Sequence, residues 1–374
     1  MQLRLSIILG FSLILSCKEK KSTEPPPRQA GVIDAHVHTS ASEFARLFDI
    51  LDEQGIHLAL NLSGGWPGGG LAEQIEAGRR SGRVLVACNL PWFAASRTKE
   101  FPLLASKLLR EAHRMGARAL KVSKGLGLGA MKYDRTLLAV DDPWLEPIWE
   151  TAGELNMPVV IHTGDPKAFW EPPTQENERY EELHAHPNWS NHGIKGLPSF
   201  EELLAQLTNT IARYPKTKFV SVHFGNNAEN PAWVSKQLSR YPNMYIDIAA
   251  RLPEFGRHSP KLIREIFIQH ADKILFGTDL AVSPRDFLML GSHGKEPNKR
   301  EEAKPFFDIH WRYFETKDKE IPSPTPIQGR WTINGIDLPF IVLRKFYFEN
   351  AMKLFGPWPK PVNHSQTQTA TSAR

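Results

Sequence analysis

Short apolar runs alternate along this chain with longer segments in which apolar residues recur at helical spacing. The short runs predict eight strands, at residues 31–37, 57–62, 83–89, 118–123, 157–163, 217–223, 243–249 and 273–278. The longer segments, such as residues 104–115 and 199–214, predict helices. Strands that alternate with helices indicate a parallel sheet covered by helices. Eight such units favour an α/β fold of one domain, a closed (β/α)8 TIM barrel.

Two connections are longer than ordinary barrel loops. They span residues 164–198, after the fifth strand, and residues 280–335, after the eighth strand. Long loops at the carboxyl ends of barrel strands usually carry function. The first of them is rich in aromatic residues between residues 169 and 192. We interpret that stretch either as a lid over the site or as a hydrophobic cluster beneath a loop.

The two ends of the chain differ from the middle. An apolar run at residues 5–15 has the length of a signal-peptide core and is too short to span a bilayer. Residues 14–17 resemble a bacterial lipobox, which implies a signal peptide at residues 1–16 and a lipid on Cys17. The polar, proline-rich residues 17–30 predict a flexible tether. We therefore expect a barrel at residues 31–357 and a disordered tail at residues 358–374.

These ends predict an exported lipoprotein, anchored to a membrane of the bacterial cell envelope in the periplasm or at the outer membrane. The alternative is that residues 1–16 form an uncleaved anchor or a buried helix. The net charge is +5, but basic and acidic residues are interspersed, which argues against nucleic-acid binding. With only two cysteines, the chain has neither a disulfide framework nor a cysteine-based zinc site. Any metal must be bound by histidine and carboxylate.

Metal-binding residue types stand at the ends of four predicted strands. Strict alternation along residues 33–38 places Asp34, His36 and His38 on one face of the first strand. His162, His223 and Asp279 end the fifth, sixth and eighth strands. One histidine at a strand end is more often structural. Because the carboxyl ends of barrel strands converge, however, the whole set can meet around one ion.

This ordered set resembles the amidohydrolase superfamily. The segments Phe-Gly-Thr-Asp at residues 276–279 and Glu-Asn-Ala-Met-Lys-Leu-Phe-Gly at residues 349–356 are similar to motifs of its amidohydrolase-related branch, which includes aminocarboxymuconate-semialdehyde decarboxylase. The resemblance covers residues 31–357. It implies that one divalent metal ion is bound by His36, His38, His162 and Asp279. Zinc is the first choice, while manganese, iron or cobalt would also suit these ligands.

The resemblance also implies a reaction. The metal would lower the pKa of its bound water from 15.7 to about 7, so that hydroxide cleaves an amide, ester or lactone bond of a small molecule. Asp279 would act as both ligand and general base. His223 would be the second catalytic residue, and its alternative roles are a further ligand or an orienting group. Non-oxidative decarboxylation by the same scaffold is the second candidate reaction, and a surface lipoprotein that binds without turnover is the third hypothesis.

Two cationic residues extend the predicted site. Lys121 ends the fourth strand on the face opposite Leu120 and Val122, and Arg251 follows the seventh strand. We expect both to attract an anionic substrate. In binuclear members of the superfamily a lysine in the position of Lys121 is carbamylated and bridges two metals, which is the alternative role for this residue. The alternative for Arg251 is a loop ion pair. The sequence leaves the oligomeric state open.

Overall fold

The eight predicted strands form a parallel barrel in a computed structural model that describes Arg28 and residues 31–358. The strands are β1 (Ile33–Thr39), β2 (Leu58–Asn61), β3 (Val84–Cys88), β4 (Ala119–Val122), β5 (Val159–Ile161), β6 (Phe219–Ser221), β7 (Met244–Asp247) and β8 (Ile274–Leu275), followed by β9 (Leu280–Ser283) and β10 (Phe287–Leu290). Consecutive strands pair from β1 to β8. The N–H of Ala35 donates to the carbonyl of Phe276 at 2.9 Å, which closes the ring. The TIM-barrel prediction is confirmed.

Helices cover the outside of the barrel. They are α1 (Phe44–Glu53), α2 (Leu71–Ser81), α3 (Phe101–Met115), α4 (Glu146–Glu154), α5 (Tyr180–Ala185), α6 (Phe200–Arg213), α7 (Pro231–Arg240), α8 (Leu252–Gly256), α9 (Pro260–Gln269), α10 (Ala303–Glu315), α11 (Phe340–Arg344) and α12 (Asn350–Phe355). Local signals fix several ends. A reciprocal capping box between Ser199 and Glu202 begins α6, and Gly116, at φ 116°, ends α3.

Two hydrophobic clusters hold the fold together. The inner one fills the barrel with side chains such as Ile33, Leu85 and Val220, and Leu354 and Phe355 of α12 close its lower end. The outer one packs the opposite faces of the strands against the helices. The predicted site residues lie near the carboxyl ends of the strands instead, at the upper end of the barrel.

The two long connections contain secondary structure of their own. The first carries α5 and two short 3-10 helices, Lys167–Trp170 and Pro187–Trp189. The second begins with the β9–β10 hairpin, in which β9 pairs in parallel with the end of β1, and continues into α10. The long insertions predicted after the fifth and eighth strands are thus present. The second is more regular than a loop, because the hairpin extends the barrel sheet.

Several predictions concern residues outside those that the structure describes. They are the signal peptide at residues 1–16, the lipid on Cys17, most of the tether, and most of the tail at residues 358–374. All remain predictions. Within residues 31–358, no helix has the length and apolar character needed to cross a bilayer.

Candidate metal centre

The carboxyl end of β1 is irregular. This irregularity determines which of its side chains point into the mouth of the barrel, the opening at the carboxyl ends of the strands. Ile33 and Ala35 face the inner cluster, whereas Val37 belongs to the outer one. The pairing register with β2 shifts between Asp34 and Val37, as expected for a β-bulge. The prediction that Asp34 shares a face with the two histidines is therefore wrong. Its carboxylate instead accepts hydrogen bonds from the backbone of His36 and from Thr278.

His36, His38 and Asp279 bring three donor atoms together in the mouth. The two Nε2 atoms lie 3.3 Å apart, and each lies 3.3 Å from Oδ1 of Asp279. Among the described residues, no other group of three His, Cys, Asp or Glu side chains converges in this way. Lone pairs held this close repel one another unless a cation or a proton lies between them. The donor set fits a divalent ion that accepts imidazole and carboxylate ligands.

Hydrogen bonds on the far side of both rings orient them. Nδ1 of His36 donates to Oδ2 of Asp247 at 2.8 Å, and Nδ1 of His38 bonds the hydroxyl of Ser63 at 2.7 Å. A carboxylate can only accept, so the proton of His36 is on Nδ1 and the lone pair of Nε2 faces the other donors. This outer bonding is typical of metal-binding histidines.

The other two predicted histidines lie side by side. The rings of His162 and His223 are 4.3 Å apart, and the ring of His223 is 5.1 Å from that of His36. Nδ1 of His223 donates to the carbonyl of Ala249 at 2.9 Å, so its Nε2 is left for the cavity. Nε2 of His162 lies 3.0 Å from the carbonyl of Gly164. The structure thus brings three of the four predicted ligands together and places His162 beside His223 instead.

Backbone strain is concentrated at these strand ends. After β6 the chain makes a left-handed turn in which His223, Phe224 and Asn226 have φ of 56°, 55° and 56°. Asp279, after β8, has φ 62°. Non-glycine residues in this region cost about 1–3 kcal/mol each and occur mainly where function requires them. Close packing adds a constraint at Gly277, where a Cβ would lie 2.9 Å from Cβ of His36.

A cavity of about 170 Å³ opens beside the three donors. Its lining includes four predicted site residues, His162, His223, Arg251 and Asp279, and two aromatic residues of the first insertion, Phe169 and Trp189. Arg251 is 8% exposed, and its Nη1 donates to the carbonyl of Ala250 at 2.7 Å. No carboxylate of the described residues lies within ion-pair distance of it. Its remaining N–H groups are therefore available to a ligand.

Lys121 points into the barrel below the donors. Its neighbours Leu120 and Val122 pack in the outer cluster, while Ala119 packs in the inner one. Among the described residues its Nζ has no hydrogen-bond partner. Burial lowers the pKa of Lys121 to about 8, although Asp247 and Asp279 oppose the shift. The Lys121 ammonium group can therefore lose its proton close to neutral pH.

The protonation states suit metal binding. Burial lowers the pKa of His38, and it places the pKa values of His162 and His223 well below the usual range. Burial opposes ionisation of Asp279, but His36 and hydrogen bonds outweigh it and hold the pKa of this carboxyl well below its usual range. Burial also lowers the pKa of His36, but Asp247 and Asp279 outweigh it and raise that pKa above its usual value. At neutral pH the site therefore offers the neutral imidazoles of His38, His162 and His223 and an ionised carboxylate.

Asp34 yields a pH-dependent prediction. Burial raises its pKa from 3.8 to about 7, so the folded protein binds a proton that the unfolded chain has lost. Stability is then lost as pH rises from about 4 through 7. Asp34→Asn keeps the accepting oxygen and removes this loss. We expect the metal-free variant to match the parent in urea unfolding at pH 4 and to exceed it above pH 7, by up to about 4 kcal/mol. An equal pH dependence in both proteins would contradict this account.

Buried charges join three loops around the mouth. Arg179, in the first insertion, is fully buried, and its guanidinium contacts the carboxylates of Glu182 and Glu254. Glu254 lies in α8, which begins directly after Arg251. Glu182 lines the cavity, and its second oxygen accepts from the hydroxyl of Ser292 at 2.5 Å. The network therefore connects the loops that follow β5, β7 and β8.

Sequence reasoning missed two residues that organise the site. Asp247 ends β7 just as the predicted ligands end their strands, so the same criterion could have identified it. Asn226 bonds across two loops, since its side-chain oxygen accepts from the N–H of Thr163 at 3.1 Å and its amide donates to Ser221. No local pattern marks Asn226, because its partners are distant in sequence.

Solved structures similar to this chain include a TIM barrel. An uncharacterised TIM-barrel protein from Bordetella bronchiseptica has 13% sequence identity and a TM-score of 0.51, with 87% of this chain and 98% of that chain covered. A 2,6-dihydroxybenzoate decarboxylase from Rhizobium has 14% identity and a TM-score of 0.46, over 87% and 98%. A probable 2-pyrone-4,6-dicarboxylic acid hydrolase from Acinetobacter baumannii, with citric acid bound, has 13% and 0.46, over 87% and 100%. The likeness to the first of these structures supports the fold alone.

The sequence itself establishes the family. Among curated proteins none matches this chain. A family profile described as amidohydrolase, however, matches residues 89–356, which is well over half of the chain. That match includes His162, His223 and Asp279, and the structure joins them to the two histidines of β1. The chain belongs to the amidohydrolase family.

Proposed function

We propose that the protein is a zinc-dependent hydrolase that cleaves an amide, ester or lactone bond of a small molecule held in the cavity. The observation that carries the proposal is the convergence of His36, His38 and Asp279 beside His223. Zinc is the first choice because imidazole and carboxylate are ligands that it accepts.

The side chains around the donors have distinct roles in this proposal. His36, His38 and Asp279 would hold the ion, which supplies a Lewis acid that lowers the pKa of coordinated water. Asp279 is ionised at neutral pH and can take up a proton. His223 presents an unprotonated Nε2 to the cavity, because its proton is on Nδ1. It is therefore suited to accept and return a proton rather than to donate a hydrogen bond to a neutral carbonyl.

Two cations support an anionic substrate. Arg251 lines the cavity with N–H groups that no described carboxylate neutralises, and a guanidinium binds a carboxylate through paired hydrogen bonds. Lys121 is not among the cavity-lining residues, and its Nζ is unpartnered among the described residues. We propose that it acts as an uncarbamylated ammonium group in a site with one metal ion. A second ion that depends on bicarbonate would instead identify Lys121 as a carbamate bridge.

The same two cations favour one alternative, non-oxidative decarboxylation. A carboxylate bound at Arg251 would be placed beside His223 and Asp279, either of which could pass a proton from water to the carbon that loses carbon dioxide. Hydrolysis and decarboxylation differ in their products. The first adds the elements of water to the substrate, and the second releases carbon dioxide without adding oxygen.

Metal analysis and product analysis test the proposal together. Residues 18–374, purified and loaded with zinc, would be measured by inductively coupled plasma mass spectrometry, with and without bicarbonate. The protein would then be incubated in ¹⁸O-water with panels of lactones, esters, amides and aromatic carboxylates. One ion per chain and ¹⁸O in a product support the hydrolase. Carbon dioxide without ¹⁸O incorporation favours the decarboxylase. If the metal-loaded protein turns over none of these compounds, the enzyme proposal is overturned. The hypothesis of a surface lipoprotein that binds without turnover is then favoured.

We also propose that the enzyme is an exported lipoprotein held at a membrane through Cys17. Support comes from the apolar run at residues 5–15 and the lipobox-like residues before Cys17. In a bacterial host, Cys17→Ser should move the protein from the membrane fraction to the soluble fraction without loss of metal content, because Cys17 precedes the first barrel strand and is not among the candidate ligands. Cys88→Ser is the matched control, since Cys88 is buried in the outer cluster. Unchanged membrane recovery in Cys17→Ser would contradict the anchor.

A further inference from the structure

One carboxylate touches both halves of the candidate site. Asp247 is 1% exposed at the end of β7. Its Oδ2 accepts from Nδ1 of His36 at 2.8 Å, and its Oδ1 accepts from the backbone N–H groups of His223 at 2.8 Å and Ala249 at 3.2 Å. All three hydrogen-bond donors are buried. Its contact with His36 orients that ring, and its contacts with His223 and Ala249 extend to the other half of the site.

We propose that Asp247 is a positioning residue that couples the metal centre to His223. One oxygen fixes the tautomer of the ligand His36, and the other holds the backbone turn that presents His223 to the cavity. The inference rests on the metal site of the proposed function. It does not depend on whether the reaction is hydrolysis or decarboxylation.

The first half of the coupling is chemical. His36 can bind a metal through Nε2 only when its proton is on Nδ1. The ionised carboxylate of Asp247 enforces that tautomer, because it accepts hydrogen bonds and has none to donate. All three partners of Asp247 are N–H groups, so both of its oxygens act as acceptors.

The second half is conformational. His223 and Phe224 are held at positive φ, which a chain without compensating contacts would leave. Oδ1 of Asp247 binds the N–H of His223, and the carbonyl of Ala249 binds its Nδ1–H. Ala249 is itself held by the same oxygen. These three contacts fix both the backbone and the ring of His223, so that its Nε2 faces the cavity next to the metal ligands.

Asp247→Asn separates this role from a purely structural one. The amide oxygen can still accept from His223 and Ala249, whereas the amide NH₂ would face Nδ1 of His36. If the amide flipped, its NH₂ would face the two N–H donors of His223 and Ala249 instead of the single N–H of His36. The unflipped orientation is therefore preferred. Nδ1 must then accept, and the proton of His36 moves to Nε2. We expect the variant to fold and to bind zinc about 10- to 100-fold more weakly.

The experiment has two readouts besides activity. Nitrogen-15 NMR of histidine-labelled, metal-free protein reports which nitrogen of His36 is protonated, and chelator competition gives the zinc dissociation constant. In the parent protein we expect Nδ1–H at both His36 and His223, a measurement that needs no variant. In Asp247→Asn we expect Nε2–H at His36 with weakened zinc binding. Asp34→Asn is the matched control, because Asp34 is buried on β1 and hydrogen-bonds Thr278 and the backbone of His36 but not the ring of His36.

The outcomes separate the two proposals. Nε2–H at His36 in the parent protein, parent-like zinc affinity in Asp247→Asn, or an equal loss of affinity in Asp34→Asn would each overturn the role of Asp247. A parent protein that shows Nδ1–H at both histidines but binds no zinc would overturn the proposed metal-dependent function, while leaving the tautomer assignment intact. An Asp247→Asn chain that fails to fold leaves the parent NMR measurement as the deciding test.

Discussion

Replacing His38 with alanine is expected to abolish metal binding by the purified protein. His38 supplies one of three donors that lie 3.3 Å apart, and the remaining pair cannot retain an ion through dialysis. Metal content should fall from about one ion per chain to below about 0.1, and turnover should fall at least about 100-fold. Inductively coupled plasma mass spectrometry and product formation measure the two effects. Asp279→Ala should behave in the same way.

Two other histidines serve as comparisons. His270→Ala is the matched control, because His270 ends α9 and bonds Ser235, far from the three donors. We expect it to keep its metal. His162→Ala tests the fourth predicted ligand. Retained metal agrees with the structure, in which Nε2 of His162 contacts Gly164. Lost metal would mean that the ring turns toward the ion when it binds. Full metal content in His38→Ala would contradict the proposed centre.

Removing the charge of Arg179 is expected to destabilise the protein strongly. Arg179→Met fills a similar volume but leaves the carboxylates of Glu182 and Glu254 buried without their common partner. Breaking a buried ion pair from one side costs about 3–5 kcal/mol. Urea unfolding of the metal-free protein measures the loss. Hydrogen exchange should also show faster exchange in α5 and α8, because Arg179 joins the loops that carry them.

An exposed ion pair in the same segment provides the control. Arg330 pairs with Glu181, next to Glu182, but its side chain is 71% exposed. Arg330→Gln should leave the unfolding midpoint unchanged, since solvent screens such pairs. Replacing Glu182 and Glu254 by glutamine in the Arg179→Met background should recover part of the loss, because it removes the unpaired charges. If Arg179→Met is no less stable than Arg330→Gln, the buried network does not hold the mouth together.

The arrangement of the insertions suggests why so much charge is buried at the mouth. Phe169 and Trp189 face the cavity from the first insertion, and Met289 and Ser292 face it from the second. Both insertions meet at Glu182, which contacts Arg179 on one side and Ser292 on the other. A cavity wall made from separate loops needs fixed contacts between them to keep one shape. The buried ion pairs of Arg179 with Glu182 and Glu254 supply such contacts, and Glu254 lies in the helix that follows Arg251.

The sequence alone determined the architecture and the strand-end positions of most candidate ligands. Apolar periodicity located all eight barrel strands to within a few residues, because each strand has one face in each hydrophobic cluster. The placement of His36, His38, His223 and Asp279 at strand ends also followed, since parallel strands in a barrel end on the same face. The strand positions and the residues at strand ends are properties of short segments, so the local sequence is enough to predict them.

Only the tertiary structure decided how these groups meet. The bulge in β1 turned Asp34 away from the histidines, and a left-handed turn brought His223 into the cavity. The partner of His36, Asp247, is 211 residues away along the chain. Side-chain tautomers, strained turns and buried ion pairs depend on contacts between distant segments. Local periodicity carries no information about such contacts, because they are set by packing after the barrel has closed.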